Sequence, residues 1–181
     1  YKEVFKLLNM NIFSGFQAPK QGLHYIHKWK KINNILNPMV VITLRQYGFD
    51  VTRNSNIKEW VKFANWVKEQ DFTPIFVPDT DACWEPNNLL ENFIVFNEPC
   101  WNLGLRLALN ELAFVNLFYS SGPASICSLS KKNRFIVFNP IIEESKEANS
   151  SKVSSYGLIE TQRRYVFSEN YQFLSFKRDN F

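Results

Sequence analysis

Short apolar runs alternate with longer amphipathic stretches through most of the chain. The clearest run, residues 39–44, is continuous and rich in β-branched side chains, as is typical of a strand covered on both faces of a parallel sheet. Shorter runs of the same kind predict four more strands, at residues 73–77, 93–96, 115–119 and 135–138.

Helices are predicted between these runs, at residues 23–36, 57–70 and 103–113, and a short one at 1–10. In the second of these, Trp60, Ala64 and Val67 lie on one stripe, and either Ser55 or Asn56 is placed to cap its start. Strands that alternate with helices favour right-handed crossovers and parallel pairing. We therefore predict a doubly wound, Rossmann-like α/β fold with a mostly parallel five-stranded sheet of order 3-2-1-4-5 and helices on both faces.

The same pattern divides the chain into four parts. Residues 1–38 are predicted to be helices that pack on the domain, and residues 39–142 the Rossmann-like nucleotide-binding core. Residues 143–157, rich in Ser, Glu and Lys, are predicted to be a mobile surface loop. Residues 158–181 are expected to pack back on the core through aromatic and aliphatic side chains, namely Tyr165, Phe167, Phe173, Leu174 and Phe176. Because the sequence opens with Tyr1, we expect it to be part of a longer protein.

Composition narrows the class of protein. A chain of 181 residues with 45% hydrophobic and 16% aromatic content suits one folded domain and argues against disorder. The net charge of +4 is scattered in short clusters, so nucleic acid is not expected as a partner. Cys83, Cys100 and Cys127 share no CxxC spacing, which favours buried thiols over a zinc site or a disulfide framework. No apolar run is long enough for a transmembrane segment, and we expect a cytoplasmic protein of unknown oligomeric state.

Candidate chemistry lies in two loops that this strand order brings together. Ligands of doubly wound sheets bind at the carboxyl ends of the strands, where the strand order reverses. One loop follows residue 44 and extends to Asn56, and the other comprises residues 120–125. In the second loop, Ser121, Gly122 and Pro123 supply a capping hydroxyl, a permissive backbone and a first-turn proline, so its helix start favours phosphate binding. An ordinary capped helix is the alternative.

The first loop carries Arg45 and Arg53, whose forked donors suit diphosphate oxygens. Surface ion pairing is the alternative for both arginines. The sequence contains neither G-x-G-x-x-G nor G-x-x-x-x-G-K-[ST], which argues against dinucleotide enzymes and P-loop ATPases.

Two aspartates and two histidines are the other candidates for catalysis or ligand binding. Asp79 and Asp81 follow the second strand, where a carboxylate can contact a ribose hydroxyl or accept a catalytic proton, although a turn after Pro78 is the alternative. Asp-x-Asp also occurs as a metal ligand, but there is no third acidic ligand nearby and no metal is predicted. His24 and His27 lie on one predicted helix with no adjacent nucleophile, so surface or structural roles are expected.

Two segments resemble the donor-binding half of GT-B glycosyltransferases, especially fucosyltransferase-like enzymes and related bacterial surface-carbohydrate proteins. The first is Val40-Val41-Ile42-Thr43-Leu44-Arg45 with Arg53-Asn54-Ser55-Asn56, which is similar to a strand-then-arginine motif against the donor diphosphate. The second is Val115-Asn116-Leu117-Phe118-Tyr119-Ser120-Ser121-Gly122-Pro123, which is similar to a strand, Ser-Ser turn and helix beside the nucleotide sugar.

The resemblance implies transfer of a sugar, hexosyl or fucosyl, from a nucleoside diphosphate donor to a carbohydrate or other hydroxyl acceptor in glycan synthesis. Arg45 would stabilise charge on the departing diphosphate, and Asp79 is the candidate base. Donor contacts would come from Arg53, Asn54 and Gln162, together with the loop residues Ser120, Ser121, Gly122, Pro123 and Ser125. The scheme needs no cofactor or metal ion beyond the sugar donor itself. A second, acceptor-side domain is needed, and 181 residues cannot hold two full ones.

Two other classes stay open at this point. The short length and the lack of a clear base are compatible with a non-catalytic Rossmann-like interaction module. A phosphosugar isomerase, epimerase or hydrolase on the same fold is the third possibility, because a fold alone does not select a reaction.

Overall fold

The computed structural model describes residues 15–144, 149–155, 158–159, 163–165 and 167–177. Its strands, in chain order, are β1 (Met39–Thr43), β2 (Thr73–Val77), β3 (Ile94–Val95), β4 (Val115–Tyr119), β5 (Phe135–Phe138), β6 (Leu158–Ile159), β7 (Arg164–Tyr165) and β8 (Gln172–Ser175). Its helices are α1 (Lys20–Ile32), α2 (Ile57–Glu69), α3 (Leu103–Leu112), α4 (Gly122–Ser128) and α5 (Ser150–Ser155).

The main sheet has the strand order β3-β2-β1-β4-β5-β8, and every neighbouring pair is parallel. The predicted doubly wound α/β fold and the order 3-2-1-4-5 are confirmed. The sheet has six strands rather than five, because β8 adds to the outer edge of β5. The small strands β6 and β7 form a separate antiparallel pair.

The order of the strands reverses at β1, which has β2 on one side and β4 on the other. Thr43, the last residue of β1, is in register with Val77 of β2 and with Phe118 of β4. The three strands therefore end at nearly the same level. The loops that follow them emerge side by side at one edge of the sheet.

Alternate residues of the central strands fill two separate cores. Met39, Val41, Ile75 and Val77 face a core that contains buried residues of α1 and α3, while Val40, Ile42 and Phe76 face a core under α2. Trp60 of α2 is fully buried in the second core and contacts Phe138 edge-on, with ring centroids 5.3 Å apart. A third cluster under α4 includes Phe118, Cys127, Phe135 and Leu174. Helices thus cover both faces of the sheet, as the continuous apolar strands predicted.

The first helix differs from its predicted bounds. It begins at Lys20, directly after Pro19, and ends at Ile32 instead of residue 36. The end is set by Asn33 and Asn34. Asn33 Nδ2 donates to the carbonyl oxygen of Trp29 at 2.8 Å, and Asn34 adopts a left-handed conformation with φ of 53°.

Strand β8 is held at the sheet edge by a buried glutamine. Gln172 Nε2 donates to the carbonyl oxygens of Ser130 and Asn133, each at 2.8 Å. Leu174 is buried and Tyr165 packs against the same cluster, whereas Phe173 and Phe176 are exposed. This part of the C-terminal segment therefore contacts the core through one face of β8.

Three further predictions concern residues 143–157, residues 1–10 and Gln162. The segment predicted to be a loop at residues 143–157 contains the short helix α5 in its described part. The helix predicted at residues 1–10, and Gln162, lie outside the described residues. Among the residues described, the structure contains no helix of the length and hydropathy that a membrane crossing requires.

Candidate functional site

The loops after β1 and β4 contact each other at the edge where the strands end. Arg53 Nη2 donates a hydrogen bond of 2.8 Å to the carbonyl oxygen of Ser120. The Arg53 side chain is only 12% exposed and also lies 4.0 Å from the carboxylate of Asp50. The structure thus brings together the two loops that the sequence placed at the reversal point.

The loop after β1 is closed by paired hydrogen bonds. Arg45 N–H donates to Ser55 Oγ, and Ser55 N–H donates to the carbonyl oxygen of Arg45, each at 2.8 Å. Tyr47 N–H donates to Asn54 Oδ1 at 2.9 Å, and Asn54 Nδ2 donates back to the carbonyl oxygen of Tyr47 at 3.3 Å. Asn54, which was predicted to contact the donor, is therefore engaged in shaping the loop.

The same bonds decide which residue caps α2. The sequence left Ser55 and Asn56 as alternatives. Asn56 Oδ1 accepts from Glu59 N–H at 3.5 Å, while the Ser55 hydroxyl is engaged with Arg45. Asn56 is thus the cap, and Ser55 fixes the backbone from which the Arg45 side chain extends.

Arg45 is half-buried beside Tyr47, with its guanidinium carbon 5.5 Å from the centre of the tyrosine ring. Its Nε atom is inaccessible to solvent and has no hydrogen-bond acceptor among the described residues. The guanidinium as a whole is only half-buried, and forked cationic donors of this kind suit an anionic ligand.

The start of α4 differs from the prediction. Ser121 precedes the helix, but its hydroxyl makes no capping bond to the helix, so the predicted capping role is wrong. Pro123 does lie in the first turn, and Ser125 N–H donates to the carbonyl oxygen of Ser121 at 3.3 Å. A side chain on Gly122 would meet no atom within 4 Å, so this side of the loop is open. Because α4 has only seven residues, the case for an anion site depends on the arginines and not on the helix end.

Asp79 joins the loop after β2 to the loop after β1. Its Oδ2 atom accepts from Gln46 N–H at 2.9 Å, and its Oδ1 atom accepts from Thr80 N–H at 2.8 Å. Ala82 N–H donates to the carbonyl oxygen of Asp79 at 3.1 Å, which closes a turn. The turn that the sequence offered as the alternative role of Asp79 is therefore present. Asp81, His24 and His27 are exposed.

A third arginine, which the sequence analysis missed, lies at the same edge of the sheet. Arg106 of α3 is 4% exposed, and its Nε donates to the carbonyl oxygen of Pro99 at 2.8 Å. Its Nη1 atom has no hydrogen-bond partner among the described residues. Burial lowers the pKa of Arg106, and the neighbouring Cys100 and Asp79 oppose that shift. Arg106 and Asn110, two polar residues four apart on a buried helix face, were the available indication.

The three thiols are free, and Cys83 and Cys127 are buried, as the sequence predicted. Cys83 Sγ donates to the carbonyl oxygen of Thr80 at 2.9 Å, and Cys100 Sγ donates to that of Pro78 at 3.2 Å. These bonds fix the segment that follows β2. In the described part of the chain, no three His, Cys, Asp or Glu residues come together as metal ligands.

A cavity of about 870 Å³ opens beside the loop after β1, and it was not predicted from the sequence. It lies between Gln46 of the first loop and the irregular segment after β2, and Trp84, Asn87 and Asn97 line it. The predicted crevice and this cavity are neighbours, since Gln46 follows Arg45 directly. The two together form the candidate site.

Comparison with known proteins shows similarity in structure only. No family model matches the sequence, and no curated protein matches it. A glycosyl transferase of family 9 from Veillonella parvula DSM 2008 matches with a TM-score of 0.59 and 10% identity, over 85% of this chain and 50% of that chain. The ADP-heptose lps heptosyltransferase II of E. coli matches with a TM-score of 0.55 and 10% identity, over 76% of this chain and 43% of that chain.

These matches define a class of fold. The chain has a Rossmann-like α/β fold similar to that of these two glycosyltransferases, which agrees with the general resemblance found in the sequence. The likeness to fucosyltransferases in particular stays a prediction. The chain spans about half the length, or less, of the two glycosyltransferases that it matches.

Proposed function

We propose that this chain is the nucleotide-sugar-binding domain of a glycosyltransferase that acts in surface carbohydrate or glycan synthesis. The observation that carries the proposal is the contact of Arg53 with Ser120, which joins two loops at the reversal point of the sheet beside Arg45. Positions of this kind bind ligands in doubly wound folds. The two glycosyltransferases of similar fold support the choice of a sugar donor.

In this proposal the diphosphate of the donor lies against Arg45 and Arg53. The Arg45 guanidinium is half-buried, and a guanidinium pairs with phosphate oxygens through two parallel bonds. During transfer, negative charge grows on the leaving diphosphate, so a fixed cation there favours the transition state over the ground state. Ser120, Ser121 and Ser125 are proposed to contact the same diphosphate, and a side chain on the neighbouring Gly122 would meet no atom within 4 Å.

Asp79 is proposed as the base that accepts the proton of the acceptor hydroxyl. Each of its oxygens accepts one main-chain hydrogen bond, which leaves a further lone pair on each for a ligand. The acceptor and a second domain are proposed to come from outside this chain, since it covers only 50% and 43% of the two glycosyltransferases of similar fold.

Titration calorimetry with ADP, GDP and UDP tests donor binding. We expect one of them to bind, and Arg45→Ala and Arg53→Ala each to weaken that binding at least about tenfold, because each removes charge-assisted hydrogen bonds. Arg134→Ala is the matched control. Its guanidinium lies 5.8 Å from the Phe114 ring, beside the opposite ends of the strands. Absence of heat with all three nucleotides at millimolar concentration would refute the proposal.

The engagement of Asp79 by two main-chain N–H groups favours a second candidate, a domain that binds the nucleotide without catalysis. The two are separated by donor hydrolysis or transfer measured with the full-length protein. Loss of turnover in Asp79→Asn with nucleotide affinity retained supports the enzyme. Unchanged turnover in that variant removes Asp79 as the base.

A further inference from the structure

The cavity differs in charge from the neighbouring loop after β1, which carries Arg45 and Arg53. Among the described residues that line it, Glu85 and Glu91 are the charged ones, and Gln46, Asn87 and Asn97 bring carboxamide groups. Two carboxylates disfavour a phosphate in the cavity. Amide and carboxylate groups together accept and donate the hydrogen bonds that neutral hydroxyl groups make.

One wall of the cavity is an exposed indole ring. Trp84 is 74% exposed and stacks on Trp101, with ring centroids 4.7 Å apart and ring planes 6° from parallel. Trp101 covers one face of the Trp84 ring, so the other face is left for solvent or a ligand. A large apolar ring that stays exposed at a polar cavity is a feature of binding surfaces, because burying it would be favourable.

The segments that carry the two tryptophans are tied to the turn after β2. Cys83 and Cys100, which directly precede Trp84 and Trp101, bond to the carbonyl oxygens of Thr80 and Pro78. The Thr80 hydroxyl also donates to the carbonyl oxygen of Cys100 at 3.4 Å, which ties the two segments together. A ring that already stacks on a neighbour before binding loses less side-chain entropy when a ligand covers it.

We propose that the cavity binds a carbohydrate ring, with its apolar C–H face on Trp84 and its hydroxyl groups toward the carboxamides and carboxylates. The proposal rests on the proposed function for its role in sugar transfer. A pyranose ring has one apolar face and a rim of hydroxyl groups, and this cavity offers one aromatic face and a rim of polar groups. Gln46 borders the cavity next to Arg45, so a diphosphate on the arginines places a linked sugar at its mouth.

The sugar has two possible sources, the donor or the acceptor. Both present the same ring chemistry, and binding experiments distinguish them. If the donor sugar fills the cavity, UDP-glucose or GDP-fucose perturbs Trp84 while UDP or GDP does not. If the acceptor fills it, a free oligosaccharide such as maltotriose perturbs Trp84 in the presence of saturating nucleotide.

The test uses the indole N–H signals of the ¹⁵N-labelled protein, assigned by substitution of single tryptophans. The probes are glucose, galactose, mannose, fucose, N-acetylglucosamine and maltotriose, besides the nucleotides and nucleotide sugars named above. We expect the signals of Trp84 and Trp101 to shift, and Trp84→Ala to weaken saccharide binding about tenfold. Trp84→Phe should retain part of the affinity. Trp66→Ala is the matched control, because Trp66 is 54% exposed on α2 and away from the cavity.

The outcomes separate this inference from the proposed function. Nucleotide binding that depends on Arg53, with no sugar shifting Trp84, overturns the carbohydrate cavity and leaves the donor site standing. Saccharide binding that depends on Trp84, without nucleotide binding, supports the cavity and refutes the transferase. Equal saccharide affinities of Trp84→Ala and the unmodified chain overturn the inference, and the nucleotide affinity of Trp84→Ala shows that the variant is folded.

Discussion

The carboxylate of Asp79 accepts the main-chain N–H of Gln46 at 2.9 Å, so the loop after β2 holds the loop after β1 in position. The second carboxylate oxygen accepts from Thr80 at 2.8 Å. The Asp79 side chain therefore stabilises two loops. It restrains the main chain of Gln46, which directly follows Arg45. This contact connects the fold to the candidate anion site.

Replacing Asp79 with Asn should destabilise the protein. An amide has one acceptor oxygen where the carboxylate has two, so one main-chain N–H loses its partner, and the remaining bond loses its charge. We expect the free energy of unfolding to fall by about 1–3 kcal/mol, as measured by urea denaturation. Asp81→Asn is the control, because Asp81 is exposed in the same turn. Equal effects of the two substitutions would show that the Asp79 bonds contribute nothing specific.

Replacing Arg53 with Lys should show whether nucleotide binding needs only a positive charge or also the planar fork of the guanidinium. Lysine keeps the positive charge, but its single ammonium cannot bond to Ser120 and present a planar fork to a phosphate at once. We expect nucleoside diphosphate affinity to fall about tenfold in titration calorimetry. Arg134→Lys, at an exposed arginine near the other strand ends, should leave the affinity unchanged. Retained affinity in Arg53→Lys would mean that the positive charge suffices and the fork is not needed.

Much of the fold was predictable because the apolar sequence of a central strand indicates that it is buried on both faces. Residues 39–44 are apolar except for Thr43, as is typical of a strand covered on both faces, and helices alternate with the strands. The sixth strand was not predictable in this way. It begins with Gln172, a polar residue that is buried because Ser130 and Asn133 supply carbonyl acceptors far away in the chain.

The candidate site was predictable in its position and less so in its details. Strand order placed Arg45, Arg53 and Ser120 at one edge of the sheet, and the structure brings their loops together. The sequence does not show that Asn54 is engaged within its own loop, since that depends on backbone geometry. The stacking of Trp84 on Trp101 was also not predicted, because both residues lie in irregular segments, one on each side of β3.

Gln172→Ala should weaken the pairing of the outermost strand, β8, with β5. The substitution leaves two buried carbonyl oxygens without the Nε2 donor, and we expect the free energy of unfolding to fall by about 1–3 kcal/mol. Hydrogen exchange should quicken for the amides that join β5 and β8, with little change in the pairing of β1 and β2. Phe173→Ala is the control on the opposite face of the strand, since Phe173 is 47% exposed. Protection of β8 that is unchanged in Gln172→Ala would contradict the anchoring role.

The half-buried Cys100 and the buried Cys127 should make the protein less stable in alkaline solution. Burial raises the pKa of Cys100 to about 12 from an ordinary 9.0, although the positive charge of Arg106 opposes the shift. Burial also raises the pKa of Cys127. Above about pH 9 the unfolded chain therefore loses thiol protons that the folded chain keeps, and the stability that is fully present below that pH declines as the pH rises toward 12.

Urea denaturation at several pH values between about 7.5 and 10.5 measures this decline. We expect Cys100→Ala and Cys127→Ala each to reduce the slope of stability against pH above pH 9, whatever they do to stability at neutral pH. Comparing slopes removes the contribution of lysine and tyrosine titration, which the variants share with the unmodified chain. Alkylation by iodoacetamide near pH 8 should likewise be slow for both thiols in the folded protein and fast in urea. Slopes that coincide in all three proteins would show that neither thiol is held protonated by the fold.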